Sequence, residues 1–288
     1  MMATIKDFRT NNRPTWCPGC GDYAVLSSLQ KACADLGLAP EEVVLVSGIG
    51  CSGKISQHFG SYGFHSLHGR ALPTATGVKL ANQDLTVIAA GGDGDGYGIG
   101  MGHFVHAVRR NIDLTYIVMD NHIYGLTTGQ LSPTSERGFK SKTSPQGSAE
   151  EPVKAVETAI VNGASFVAQA FSGDVKQMAR LFEEAIRHRG FALVNCFSPC
   201  VTFNKVNTYD WFKETLVNLD EREDYDPTDR EGALRLLHET KGVVTGVLYK
   251  QERPVFHEEM IGASEVATAK VDLRLKEEDA QALLQSYR

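Results

Sequence analysis

The sequence predicts an α/β fold with a doubly wound parallel sheet, and two patterns indicate it. Five short runs rich in aliphatic and β-branched residues recur along the chain, and each is continuously apolar rather than alternating. Strands covered by helices on both faces of a parallel sheet have this composition. Helical stretches lie between the runs, and such strand–helix alternation places ligands at the carboxyl ends of the strands.

The elements can be assigned in chain order. The predicted strands are VVLVS (43–47), LTVIAA (85–90), LTYIVM (114–119), SFVAQAF (165–171) and FALVNCF (191–197). Residues 24–36 put apolar side chains on one helical stripe, and a second amphipathic helix begins after Asp174 and ends at Gly190. We expect one more helix within residues 233–249.

The pattern changes after residue 205, which divides the chain into two predicted parts. Residues 1–205 form the sheet domain, and residues 206–288 form a C-terminal extension or arm. The second part carries the charged tract DEREDYDPTDREG (220–232) and has little strand signal. We interpret the charged tract as solvated surface.

Composition excludes several classes of partner. The chain has 288 residues, of which 42% are hydrophobic and 22% charged, as in ordinary globular proteins. Its net charge is −6 and it has no dense basic run, so we expect neither nucleic acid nor a membrane as partner. No apolar stretch approaches the roughly 20 residues that span a bilayer. The N-terminal residues have no apolar core of the signal-peptide kind, so we expect a cytoplasmic protein.

The stretch GGDGDGYGIG (91–100) has the composition of a phosphate-binding turn. Gly92 and Gly94 let a phosphate approach the backbone, and the helix that follows offers N–H groups and a positive dipole end. Asp93 and Asn121 lie 28 residues apart at the tips of two successive predicted strands. Their oxygen atoms suit one hard cation together with phosphate oxygens and water. An acidic glycine turn with an unrelated asparagine is the alternative, which this spacing disfavours.

The cysteines raise a separate question. The pair in WCPGCG suits a redox dithiol, half of a zinc site, or two ligands of an iron–sulfur cluster. Four cysteines fall in loops at the predicted carboxyl edge of the sheet: Cys17, Cys20, Cys51 and Cys200. Four thiolates suit either Zn²⁺ or a [4Fe–4S] cluster, and geometry alone does not separate the two. Cys33 and Cys196 lie within a helix stripe and a strand, so we assign them to the core.

Several segments resemble a known family. Residues 91–135 resemble the thiamine diphosphate motif, a Gly-Asp-Gly followed about 28 residues later by Asn. The closer similarity is to the β subunit of 2-oxoacid:ferredoxin oxidoreductases. It rests on HGRALPTATGVKLAN (68–82), GDGDGYGIG (92–100), YGLTTGQLSPTS (124–135) and SPCVTFN (198–204). The resemblance extends from about residue 13 to residue 205 and fades in the last 80 or so residues.

The resemblance implies three cofactors: thiamine diphosphate, Mg²⁺ and one [4Fe–4S] cluster. It makes Asp93 and Asn121 side-chain ligands of Mg²⁺, with the Ile123 carbonyl as a third. It makes the four loop cysteines the ligands of the cluster. Because the chain has no ferredoxin-like cysteine run, electrons would leave to an external carrier.

The predicted cofactor-binding residues are Ile49, Gly50, Cys51, Ser52, His68, Gly92, Asp93, Gly94, Asp95, Asn121, Ile123, Gly125, Leu126 and Thr127. Three residues are candidates for the catalytic set. Lys54 would place a cation near the substrate carboxylate, unless it is an ordinary surface charge. Leu126 would pack opposite it. His68 would donate to phosphate or substrate, with a structural histidine as the alternative.

The family's activity is the oxidative decarboxylation of a 2-oxoacid with coenzyme A, to acyl-CoA and CO₂, with ferredoxin as electron acceptor. We expect 2-oxoglutarate as substrate first and pyruvate second. The resemblance also implies an α subunit that supplies a pyrimidine-binding domain and an activating Glu, in an (αβ)₂ assembly. A non-redox thiamine diphosphate decarboxylase or carboligase subunit with a structural zinc site is one alternative. A non-catalytic scaffold subunit is another.

Overall fold

The computed structural model describes residues 3–260, 267–272, 274 and 276–287. The strands are β1 (Val43–Ser47), β2 (Tyr62–His65), β3 (Thr86–Gly92), β4 (Leu114–Asp120), β5 (Ile123–Tyr124), β6 (Gln130–Leu131), β7 (Phe166–Phe171), β8 (Phe191–Phe197), β9 (Val217–Asn218) and β10 (Val244–Lys250). An eight-stranded sheet with the order β2-β1-β3-β4-β8-β7-β10-β9 forms the centre of the described chain, beside a small antiparallel hairpin of β5 and β6.

Helices cover both faces of the sheet and enclose two apolar layers. The helices are α1 (Asp22–Asp35), α2 (Ile55–His58), α3 (Ala71–Ala81), α4 (Met101–Arg110), α5 (Ala155–Val161), α6 (Val175–Arg187), α7 (Tyr209–Thr215), α8 (Arg230–Glu239), α9 (Phe256–Glu259) and α10 (Glu277–Ser286). Side chains of α1, α2 and α6 build one layer, and side chains of α3, α4, α5 and α8 build the other.

The order of the strands creates a crevice at one edge of the sheet. Six neighbouring strands, from β2 to β7 in the sheet, run parallel. The chain passes from β1 outward to β2 and then returns to the other side of β1 as β3. Connections from neighbouring strands therefore diverge between β1 and β3. Ligands of doubly wound folds bind outside the carboxyl ends of the strands at such a reversal.

The five predicted strands and both predicted helices are confirmed within a residue or two at each end, as is the α/β fold class. Strand β2 was not predicted, because it lies at the sheet edge with all four residues exposed and so lacks a buried apolar run.

The expected helix within 233–249 is wrong in its second half. Helix α8 ends at Glu239, and Lys241 and Gly242 then take the left-handed conformation, with φ of 52° and 79°. The β-branched run that follows forms β10, which pairs antiparallel with β7. Pairing with an existing strand outweighs the local helical pattern there. The division at residue 205 stays a prediction.

Within the described residues, no helix combines the length and apolar composition that crossing a bilayer requires.

Helix α6 gives a first test of how sequence signals fix local structure. Asp174 caps it, and its Oδ1 accepts a hydrogen bond from the Gln177 N–H at 3.0 Å. Replacing Asp174 with alanine should lower the free energy of unfolding by about 1 kcal/mol, the usual cost of losing an N-cap. Urea denaturation measures it. Asp210→Ala is the control, because that side chain is 86% exposed and pairs loosely with Lys213 at 3.6 Å. Equal losses in both variants would contradict the capping role.

Candidate active site

A cavity of about 500 Å³ lies at the carboxyl ends of the strands, where the strand order reverses. Loops that follow β1, β2, β3 and β4 form its wall. The fourteen residues of the predicted cofactor-binding set all lie on that wall: Ile49, Gly50, Cys51, Ser52, His68, Gly92, Asp93, Gly94, Asp95, Asn121, Ile123, Gly125, Leu126 and Thr127. Cys17, Cys20 and Cys200 lie off it. The structure therefore brings together residues that are up to 78 positions apart in the sequence.

Asp93 follows β3 directly and is 98% buried, with 2% of its surface exposed. Its Oδ2 accepts a hydrogen bond from the Thr134 hydroxyl at 2.6 Å, and the same hydroxyl lies 3.0 Å from Asp120 Oδ1. One hydroxyl hydrogen can serve only one carboxylate at a time. Burial and the neighbouring Asp120 raise the pKa of Asp93 to about 6. A cation in the cavity would balance this concentrated negative charge.

At the two glycines beside Asp93, an added side chain would come too close to a neighbouring side chain. A Cβ on Gly92 would lie 2.9 Å from Ser52 Oγ, and a Cβ on Gly94 would lie 2.2 Å from the Tyr124 ring. The Tyr124 hydroxyl also donates to the Gly94 carbonyl at 2.9 Å. A wide helical turn, Gly94–Ile99, then leads into α4. The bare backbone at the cavity wall is the surface that a phosphate group needs.

Asn121 follows β4 and is held in place by two hydrogen bonds. Its Oδ1 accepts from the Ile123 N–H at 3.0 Å, and its carbonyl accepts from Asn204 Nδ2 at 3.0 Å. His122, which lies between Asn121 and Ile123 in the chain, has a φ of 59°, and this left-handed conformation reverses the direction of the backbone. Asn121 Oδ1 keeps a second lone pair for a cation. Carboxylate, amide and carbonyl oxygens, the donor types present here, suit Mg²⁺.

The thiols of Cys51 and Cys200 meet beside this cavity, next to Gly125. A Cβ on Gly125 would lie 3.5 Å from Cys200 Sγ and 3.7 Å from Cys51 Sγ. Gly125 and Cys51 also line the cavity, so the thiol group and the cavity share a wall. The Trp16 indole N–H donates to the Cys51 carbonyl at 2.7 Å, which ties the loop of Cys17 to that of Cys51.

Cys20 comes close to the same group from the first loop, and its neighbour Asp22 bonds to the loop of Cys200. The Ser198 hydroxyl donates to Asp22 Oδ1 at 2.8 Å. Burial raises the pKa of the Cys20 thiol well above its usual value and that of Cys51 to about 11. Burial also raises the pKa of Asp22 to about 6. Thiolates in this group therefore require a positive partner, which a metal centre would supply.

Lys54 and Leu126 differ in their relation to the cavity. Leu126 lies on its wall with 48% of its surface exposed. Lys54 is not on the wall. Its charge partly offsets the rise that burial causes in the pKa of Cys51 and of Asp22, so it lies close to the cysteine loops. Cys33 and Cys196 are fully buried in the apolar layer of α1 and α6, as predicted.

The sequence did not identify every wall residue. Tyr124, Gln130 and Leu131 line the cavity from the β5–β6 hairpin, which is too short to show a strand pattern. The Thr134 hydroxyl lies within hydrogen-bonding distance of both Asp93 and Asp120. Asp120 could have been predicted as a site residue, because it stands beside Asn121 at the end of a strand. In the chain as described, no three or more His, Cys, Asp and Glu side chains stand close enough to hold one metal ion.

Comparison with known proteins agrees with this geometry. Residues 48–196 match the family model of the thiamine pyrophosphate enzymes, C-terminal TPP binding domain. Residues 200–265 match the model of the C-terminal part of the pyruvate ferredoxin oxidoreductase β chain. The fold and the cavity thus define a thiamine diphosphate-binding protein.

Individual relatives show which group of thiamine diphosphate-binding proteins the chain resembles. A 2-oxoacid:ferredoxin oxidoreductase subunit beta from Sulfolobus sp is 43% identical, covering 88% of this chain and 87% of that protein. A 2-oxoglutarate synthase subunit KorB from Archaeoglobus fulgidus is 42% identical, with 80% and 88% covered. The solved 2-oxoglutarate:ferredoxin oxidoreductase of Magnetococcus marinus aligns with a TM-score of 0.85 and 43% identity, over 88% of this chain and 87% of that chain. The chain belongs to the β subunits of the 2-oxoacid:ferredoxin oxidoreductases, which confirms the family predicted from the motifs.

Proposed function

We propose that this β subunit binds thiamine diphosphate with Mg²⁺ in the 500 Å³ cavity and holds a [4Fe–4S] cluster on its four loop cysteines. The complete enzyme would convert a 2-oxoacid and coenzyme A to acyl-CoA and CO₂. Two electrons per substrate would pass to two oxidised ferredoxins, and one proton would be released. The observation that carries this proposal is the shared wall at Gly125 and Cys51, because electron transfer needs the two centres side by side.

The residues fit the cofactor. Thiamine diphosphate, when bound, supplies the electron sink that lets a 2-oxoacid lose CO₂. Asp93, Asn121 and the Ile123 carbonyl would hold Mg²⁺ on the diphosphate. Gly92 and Gly94 would let the diphosphate approach the backbone. Leu126, half-exposed on the wall, would exclude water from the reacting end.

The thiol group fits an iron–sulfur cluster in composition, since four cysteine thiolates are its usual ligands. Lys54 beside Cys51 would offset part of the negative charge of a reduced centre, and we propose this as its main electrostatic effect. A visible absorbance that bleaches on reduction tests for the cluster. A colourless protein that contains zinc would overturn it in favour of the non-redox alternative.

We propose 2-oxoglutarate as the preferred substrate, with pyruvate second. Two relatives support this choice. One is named a 2-oxoglutarate synthase subunit, and the Magnetococcus marinus structure contains 2-oxoglutarate, coenzyme A and succinyl-CoA. The test is reduction of ferredoxin, or of a low-potential dye, by the purified complex with coenzyme A and a panel of 2-oxoacids. Dependence on coenzyme A together with a 2-oxoacid is expected. Decarboxylation without reduction of the acceptor would contradict the redox assignment.

We further propose that the site is completed by an α subunit, in an (αβ)₂ assembly, with the Glu that activates the aminopyrimidine. In the residues described, no glutamate lines the cavity. The purified chain alone should therefore bind iron but show no turnover of 2-oxoacids, and adding the α subunit should restore turnover. Iron analysis and the acceptor assay on the same preparation measure both. Turnover by the chain alone would place the activating acid within this sequence.

A further inference from the structure

Asp95, the second acid of the Gly-Asp-Gly-Asp turn, joins three loops through a single oxygen atom. Its Oδ1 accepts hydrogen bonds from the Ile49 N–H at 2.9 Å, the Gly69 N–H at 2.8 Å and His68 Nδ1 at 2.9 Å. The side chain is 2% exposed. Its Oδ2 is buried and has no hydrogen-bond partner in the described part of the chain. One oxygen of the carboxylate is therefore fully engaged by protein donors, which hold the side chain in place.

Two glycines make room for this carboxylate. A Cβ on Gly48 would lie 1.8 Å from Asp95 Oδ2, and a Cβ on Gly91 would lie 2.8 Å from it. Both distances are shorter than any real contact of a Cβ atom allows. The loop after β1 and the end of β3 thus leave room for the Asp95 carboxylate because residues 48 and 91 carry no side chain.

His68 is the member of this group that meets the cavity. It lies on the cavity wall, and its side chain is 40% exposed. The edge of its ring also contacts Tyr124, with ring centres 6.2 Å apart. Because Nδ1 faces a carboxylate, it carries the hydrogen, and Nε2 is the ring nitrogen left for a bound molecule. A half-exposed histidine without such a partner would sample several rotamers and both tautomers.

We propose that Asp95 is a positioning residue that fixes the ring orientation and tautomer of His68, so that Nε2 is presented to the molecule in the cavity. The proposal rests on the proposed function for the identity of that molecule. It differs from direct cofactor binding by Asp95, because the carboxylate acts through His68. The backbone bonds to Ile49 and Gly69 hold the carboxylate itself in place, which makes the ring position reproducible.

A double-mutant cycle in the assembled enzyme tests this. The variants are Asp95→Ala, which removes the acceptor oxygen, His68→Gln and the two combined, assayed for kcat and KM with 2-oxoglutarate, coenzyme A and a low-potential acceptor. Asp95→Ala alone should lower kcat by about 10- to 100-fold, the usual cost of losing the partner that orients a histidine. In the His68→Gln background the same change should cost less than about twofold, because the residues act as one unit.

A second readout does not depend on activity. ¹H–¹⁵N spectra of histidine-labelled enzyme should show His68, assigned by its loss in His68→Gln, as the Nδ1–H tautomer. Asp95→Ala should shift it toward the Nε2–H form, because it removes the oxygen that accepts the Nδ1–H. Asp113→Ala is the matched control, because Asp113 also accepts a backbone N–H, from Gly190 at 3.0 Å, but lies off the cavity wall. It should change neither measurement.

Two results would overturn the positioning role. One is a loss of kcat from Asp95→Ala that is equally large with and without His68, and the other is an unchanged His68 tautomer in Asp95→Ala. Failure of the proposed function looks different, since the wild-type enzyme would then reduce no acceptor while the tautomer shift still appeared.

Discussion

Replacing Asp93 with alanine should remove thiamine diphosphate from the protein and leave the iron content unchanged. Asp93 is the charged member of the proposed Mg²⁺ ligand set. Its buried carboxylate shares the Thr134 hydroxyl with Asp120, and the two negative charges repel each other. Such a concentration of negative charge is stable only with a cation nearby. Removing one partner of a buried charge pair costs about 3–5 kcal/mol, so binding should weaken by more than about 100-fold.

The measurement is thiamine and iron content in one preparation, followed by titration with thiamine diphosphate and Mg²⁺. Asp113→Ala is a control for carboxylate loss elsewhere in the fold, and it should retain thiamine. Folding is checked by circular dichroism, because Asp93→Ala also relieves the repulsion with Asp120 and should not unfold the chain. Normal thiamine content in Asp93→Ala would show that the diphosphate is bound elsewhere.

Replacing Cys200 with serine should destabilise the iron–sulfur site and spare the thiamine site. Cys200 enters from the loop after β8, whereas its partners Cys17, Cys20 and Cys51 come from the first part of the chain. Serine is a poor ligand for iron, which prefers soft sulfur donors. Loss of an outer partner of a metal ligand already costs about 10- to 100-fold in affinity, and we expect loss of a ligand to cost at least as much.

Cys196→Ser is the matched control, four residues earlier in the same segment. Its thiol is fully buried in the apolar layer between sheet and helices and donates to the Val194 carbonyl at 3.8 Å. It should lower stability and leave the iron spectrum unchanged. Iron analysis and electron paramagnetic resonance of the two reduced variants make the comparison. If Cys196→Ser loses the signal and Cys200→Ser keeps it, the fourth ligand is wrongly assigned.

The sequence predicted the sheet because its strands carry their own signal. Runs such as VVLVS and FALVNCF are apolar throughout, and they are buried throughout in the structure. Strand β2 carries no such signal, since it is an exposed edge, and β10 was hidden within an expected helix. Both depend on pairing with strands that are remote in sequence, which local composition does not encode.

The sequence also determined most of the residues that surround the cavity, through the Gly-Asp-Gly-Asp turn, the asparagine that follows it and the resemblance of the whole segment to a family. It did not determine how those residues bond. Asp95 lies on the cavity wall, and one oxygen of its carboxylate also accepts three N–H groups from two other loops. The role of Lys54 near the substrate stays a prediction, and the lysine charge partly offsets the rise that burial causes in the pKa of Cys51 and of Asp22. Such partners come together only when the strand order reverses between β1 and β3, because side-chain contacts across loops follow from topology and not from spacing along the chain.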